Sequence, residues 1–124
     1  MLDKGSIKTK YVGPTDTRGS RIGVTYKGIY STVTYNHSVD DSHLYAVAEI
    51  LHIPESHIVY RDDWKLGKYF DILDNPPSTL EFNFYVMTRE LKIAGFNQEI
   101  DAYDFIEAYQ GKGMPTVFSK VDLS

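Results

Sequence analysis

The chain has 124 residues, 42% of them hydrophobic, and a formal net charge of −4; this is the length of one domain with a small core, and its acidic balance argues against duplex nucleic acid as a partner. There is no cysteine, which excludes a disulfide scaffold and a thiolate metal site. No apolar run reaches ~18 residues and no apolar stretch follows Asp3 and Lys4, so neither a membrane span nor a signal peptide is expected, cytoplasm is the default compartment, and the Asn36-His37-Ser38 sequon is read as incidental.

Ile7 to Val12 alternates apolar and polar residues and predicts a short strand, which Gly13-Pro14 ends. Thr15 to Gly19 reads as loop. Ser20 to Tyr26 and Ile29 to Tyr35 are β-branched and aromatic runs joined at Lys27-Gly28, a hairpin pattern. Asp40 or Asp41 then caps a helix running to about Leu51, with Leu44, Val47, Ala48 and Leu51 on one face. His57 to Arg61 is extended, Asp62-Asp63-Trp64 is expected to turn, and Lys68 to Leu73 is a further strand. Asp74-Asn75-Pro76-Pro77 is a stiff break, read as a joint within a single domain. Beyond it, Ser78-Thr79-Leu80-Glu81 matches a capping box. Leu80, Phe84, Met87, Leu91 and Ala94 have helical spacing, although the alternating aromatics of the same run also fit a strand; the helix is preferred, with Gly95 as its terminator. A last helix, capped by Asn97, covers Glu99 to Gln110, and Thr116 to Phe118 can form a short strand. The expected architecture is α+β: an antiparallel sheet built from the N-terminal hairpin, one helix packed on it, and two C-terminal helices that serve oligomerisation and ligand binding.

The loop between the first two strands carries the clearest chemistry. Thr15, Thr17, Arg18, Gly19, Ser20 and Arg21 combine hydroxyls, an unhindered backbone and two guanidinium forks, the groups that hold a diphosphate without acting on it. A polar turn with solvated arginines is the ordinary alternative. The loop is neither a Walker sequence nor a dinucleotide fingerprint. His37, His43, His52 and His57 include no pair at the spacing of a helical metal site, and His43 and His52 read as exposed or capping residues at the ends of the first helix. No Gly-x-Ser-x-Gly elbow supports a nucleophile, and Asp40-Asp41 and Asp62-Asp63 are too close in sequence to face one another across a helix. The chain is rich in aromatics, with ten tyrosines, six phenylalanines and one tryptophan. Phe82 is a candidate to stack on a base, and Arg89, about two turns along the same predicted helix, a candidate second phosphate contact. Core packing and a surface ion pair are their respective alternatives.

The segment Ile7-Lys8-Thr9-Lys10-Tyr11-Val12-Gly13-Pro14-Thr15-Asp16-Thr17-Arg18-Gly19-Ser20-Arg21-Ile22 resembles the opening of small proteins encoded by many bacteriophages. The hairpin that follows, the Ser42 to Leu51 helix and the Gly67-Lys68-Tyr69-Phe70 strand continue the likeness. On these residues the chain resembles the phage anti-Thoeris sponge family, the first type of Thoeris anti-defence protein. The resemblance implies a non-enzymatic protein without a cofactor. Such proteins sequester cyclic ADP-ribose isomers made by bacterial TIR-domain proteins and release them unmodified on denaturation; some also hold cyclic di- or trinucleotides. It further implies a homo-oligomer, dimer to hexamer, with pockets at subunit interfaces, acting in the cytoplasm of the infected bacterial host. A phosphodiesterase of the same ligand and a protein-binding inhibitor of a host defence factor are the rival expectations.

Overall fold

A computed structural model describes residues 6–15, 18–73, 77, 80–89, 91–111 and 113–121. They form eight strands: β1 (Ile7–Val12), β2 (Arg21–Tyr26), β3 (Ile29–Thr34), β4 (Ile58–Trp64), β5 (Gly67–Ile72), β6 (Phe84–Thr88), β7 (Leu91–Phe96) and β8 (Thr116–Ser119). Two helices, α1 (Ser42–Leu51) and α2 (Glu99–Ala108), and a 3₁₀ turn at Glu55–His57 complete the described elements. The class is α+β, as the sequence implies, with more strand and less helix than expected. Two compact units are present, Met1–Lys27 with Thr32–Thr79, and Gly28–Ser31 with Leu80–Ser124. The expected joint at Asn75-Pro76-Pro77 and the capping serine Ser78 fall mostly outside the described residues. Of these, Pro77 is described, and its carbonyl accepts a hydrogen bond from the Tyr26 hydroxyl.

In the first unit the strand order is β4-β5-β1-β2, each neighbour antiparallel. Register pairs Ile7 with Tyr26, Thr9 with Val24 and Tyr11 with Ile22. Because opposed residues share a face, Ile7, Thr9, Ile22, Val24 and Tyr26 line one side, joined by Phe70 opposite Ile7. All of these are buried, as are Ala46, Val47, Ile50 and Leu51 of α1, which packs on β1 and β2. The helix therefore presents 46, 47, 50 and 51 to the sheet, a face rotated from the expected one; Leu44 and Ala48 are only half-buried. Asp41, not Asp40, caps α1: its Oδ1 accepts from the backbone N–H groups of His43 (3.0 Å) and Leu44 (3.1 Å). Lys27 and Gly28 both have positive φ, 51° and 81°, the backbone that a two-residue hairpin of matching twist requires. Asp62-Asp63-Trp64 does not turn; it extends β4 past a bulge at Arg61, and the turn falls at Lys65-Leu66.

In the second unit β7 pairs in parallel with β3 through Tyr30 and Ala94, and β6 lies antiparallel between β7 and β8. The helix expected through Thr79 to Ala94 is not found among the described residues, which form the β6–β7 hairpin from Phe84 onward. Helical spacing of its large residues competed there with β-branched and aromatic content. Strand pairing on both sides of β6, with β7 and β8, won over helical spacing. α2 covers one face of this hairpin. Val86, Ala94, Phe96 and Ala102 form its buried centre, flanked by Tyr30, Phe84, Ile93, Phe105, Ile106 and Val117. Gln98 rather than Asn97 occupies the N-cap position of α2, and makes no side-chain cap there. The Asn97 carbonyl instead accepts from Asn83 Nδ2. Only one C-terminal helix is therefore found among the described residues.

Candidate functional site

The loop after β1 is closed by its own atoms. Thr15 N–H donates to the Arg18 carbonyl (2.8 Å) and Arg18 N–H donates to Thr15 Oγ1 (3.0 Å). Asp16 and Thr17, between them, lie outside the described residues. Both bonds use the backbone of Arg18, so the position of its Cα does not depend on its guanidinium. Ser20 is tied twice at the base of the loop: its carbonyl accepts from Tyr35 N–H (3.0 Å), and its Oγ lies 2.9 Å from the Tyr11 hydroxyl. The Tyr11 and Tyr35 rings meet edge to face at 5.8 Å, and Tyr35 packs on His37 at 4.6 Å. An aromatic wall thus stands beside the loop, built from residues that the sequence reading did not single out. The signal lay in strand alternation, which places Tyr11 at the loop's edge.

The expected ligand set is divided by this geometry. Arg21 opens β2 opposite Val12, and successive strand residues point to opposite faces. Ser20 turns toward Tyr11 and Tyr35, whereas Arg21 turns to the face that carries Lys8 and Lys10, with its Nε shielded from solvent. Among the described residues beyond its chain neighbours, Gly19 has no heavy atom within 4 Å of the place a Cβ would take. In the free chain, then, nothing around it requires glycine; close approach of a ligand is what the position can serve.

Phe82 and Arg89 belong to the second unit and are not brought together. Phe82 is 4% exposed. Its ring covers Gly95, where a Cβ would come within 2.1 Å of it, and meets Tyr85 edge to face at 6.0 Å. Arg89 sits at the β6–β7 turn in left-handed backbone, φ 50°. The two residues flank opposite ends of β6, whose five residues span about 16 Å, not adjacent turns of one helix.

A second constellation, absent from the sequence reading, gathers around Thr9 in the first unit. Thr9 is fully buried. Its carbonyl accepts from Trp64 Nε1 (2.7 Å), and its Oγ1 accepts from Lys68 N–H (2.9 Å) and lies 2.7 Å from His43 Nδ1. Lys68 Nζ reaches Asp41 Oδ2 at 3.2 Å. His43 is therefore no exposed cap; it holds the first turn of α1 onto β1. Burial lowers its pKa from the usual 6.5, Lys68 adds to that effect, and Asp41 and Asp63 oppose it. Burial of Asp41 raises its pKa, but the Leu44 N–H, Lys68 and the His43 N–H together bring it below 3.8. Asp71 is likewise lowered, its burial outweighed by the Ser6 N–H and Arg61.

Both kinds of shift make acid destabilising. Neutral His43 contributes stability above its unfolded value of 6.5, and that contribution is lost as pH falls through the folded value. The two carboxylates contribute above 3.8 and lose their share at still lower pH. Thermal unfolding followed across pH should show both losses. His43→Gln should remove the first and keep the second; an unaltered profile in that variant would disprove the role given to His43.

The Thr15–Ser20 loop is the better candidate site. It combines the Ser20 hydroxyl, the Gly19 backbone, a permanent cation and an adjacent aromatic wall, a set that binds an anion with an attached ring. The Thr9 cluster is internally satisfied and structural. Among the described residues no group of His, Asp and Glu can hold a metal ion, and no helix is long and apolar enough to cross a membrane. Comparison with protein-family models, curated proteins and solved structures finds no match for this chain.

Proposed function

We propose that this chain binds and sequesters a cyclic ADP-ribose isomer in the cytoplasm of an infected bacterium, and returns it uncleaved. One observation supports this most directly: the loop around Arg18 is closed by bonds between the Arg18 backbone and Thr15, beside the Tyr11–Tyr35 wall. Arg18 meets the diphosphate, Ser20 and Gly19 approach it with hydroxyl and amide, and a tyrosine face takes the adenine. Arg21, which starts from the opposite face of the sheet, has the smaller part, and Thr17 completes the loop. A sponge must act at low signal concentration, and a nanomolar Kd corresponds to about −12 kcal/mol. Two phosphates in charge-assisted bonds and one stacked base, enclosed between subunits of a homo-oligomer, are of the right order. Cleavage would instead require groups that favour a transition state over the bound ligand.

Isothermal titration of the full chain with the cyclic ADP-ribose isomers should give saturable binding. Heating the complex and separating the released nucleotide should return it intact. A linear product would identify a phosphodiesterase instead, and absence of heat with every isomer would overturn the proposal. Inhibition of host defence by a chain that binds no nucleotide would favour a protein-binding inhibitor.

A further inference from the structure

We infer that the second unit carries a separate site for a small zwitterion, of the size and charge of an aromatic α-amino acid. An open groove of about 380 Å³ is lined by Glu81, Phe82, Tyr85, Lys120 and Val121, within the size range of small-molecule sites. Its two charged lining residues are of opposite sign. Among the described residues neither the Glu81 carboxylate nor the Lys120 ammonium takes part in an ion pair or side-chain hydrogen bond. They share one groove yet do not close on one another. A ligand with an ammonium at one end and a carboxylate at the other satisfies both at once.

The backbone that carries these two side chains is fixed. The Tyr85 hydroxyl accepts from Phe82 N–H (3.0 Å) and donates to the Leu80 carbonyl (3.2 Å), fixing the backbone on both sides of Glu81. Lys120 N–H donates to the Asn83 carbonyl (2.8 Å), fixing the other charged residue to the same segment. Phe82 and Tyr85, crossed edge to face, supply the apolar wall. Gly95 leaves the room that the Phe82 ring occupies. A diphosphate is a poor occupant, because Glu81 repels it. The site is thus chemically distinct from the Arg18 loop, and its test does not depend on that reading.

The test is titration of the full chain with L-phenylalanine, alongside phenethylamine, which keeps only the ammonium, and 3-phenylpropionate, which keeps only the carboxylate. Loss of one charge-assisted contact should weaken binding about tenfold or more. L-Phenylalanine should therefore bind tightest. Glu81→Gln should weaken L-phenylalanine and phenethylamine but spare 3-phenylpropionate, and Lys120→Gln should do the converse. Both side chains are exposed, so both variants are expected to fold, which circular dichroism checks. Failure of L-phenylalanine to bind at millimolar concentration, equal affinity for all three compounds, or indifference to both substitutions would each overturn the inference.

Discussion

Gly67→Ala is expected to destabilise the first unit by about 4–6 kcal/mol, the sum of a steric term of ~1–3 kcal/mol and three hydrogen bonds lost with it at ~1 kcal/mol each. A Cβ at this position would stand 2.0 Å from the Thr9 carbonyl oxygen and 2.6 Å from its carbon. The obstacle is backbone, which cannot rotate away. To admit a methyl group, the start of β5 must lift from β1, and what it leaves behind is Thr9, which bonds to Trp64, Lys68 and His43. Lys68 N–H would lose Thr9 Oγ1, Tyr11 N–H would lose the Leu66 carbonyl at 2.7 Å, and Trp64 would lose its hold on the Thr9 carbonyl. Displacement of Lys68 also strains its bridge to Asp41 at the helix cap. A loss of this size is a large share of a small domain's stability. Gly19→Ala is the matched control: no atom of the described residues beyond its chain neighbours comes within 4 Å of a Cβ there, and a change within about 0.5 kcal/mol is expected. Urea denaturation of the two variants measures both. Equal midpoints would show that β5 tolerates the methyl group and that Thr9 is not the anchor described.

What the sequence made legible is local. The Lys27-Gly28 turn, the Asp41 cap and the alternation of β1 each depend on residues adjacent in the chain, and each is found in the structure. The β6–β7 hairpin was hidden because β6 is covered on both faces. Phe84 and Val86 meet α2 and its core, while Tyr85 carries the Lys92 ammonium 4.3 Å above its ring. A strand apolar on both faces loses its two-residue period, and what remains can be matched to a helix. Asp62 and Asp63 have the composition of a turn yet lie in β4, an edge strand, which tolerates charge. The role of His43 depends on Thr9, 34 residues away, and no local pattern contains it. The opposition of Ser20 and Arg21 was, by contrast, available from alternation alone once β2 was placed; treating both as one loop concealed it.

That opposition gives the ligand prediction its shape. Arg18→Ala should weaken binding of a cyclic ADP-ribose isomer by about 2–3 kcal/mol, or ~30- to 150-fold in Kd, since charge-assisted bonds to a phosphate are lost. The loop should survive, because both bonds that close it use the Arg18 backbone and Thr15; the unfolding midpoint is expected to change little. Arg21→Ala should cost less, about tenfold or below, because its side chain starts from the other face of the sheet. Arg18→Lys should recover only part of the loss, as an ammonium keeps the charge but not the planar fork. Thr15→Val keeps the guanidinium and removes the hydroxyl that fixes its backbone, so it should weaken binding through disorder of the loop. Titration calorimetry at ~0.15 M salt, where exposed charges are screened beyond about 8 Å, separates these cases. If Arg18→Ala binds as the parent does while remaining folded, the cation at this loop has no part in recognition. If Arg21→Ala proves the more damaging, the ligand lies instead on the face shared by Lys8 and Lys10.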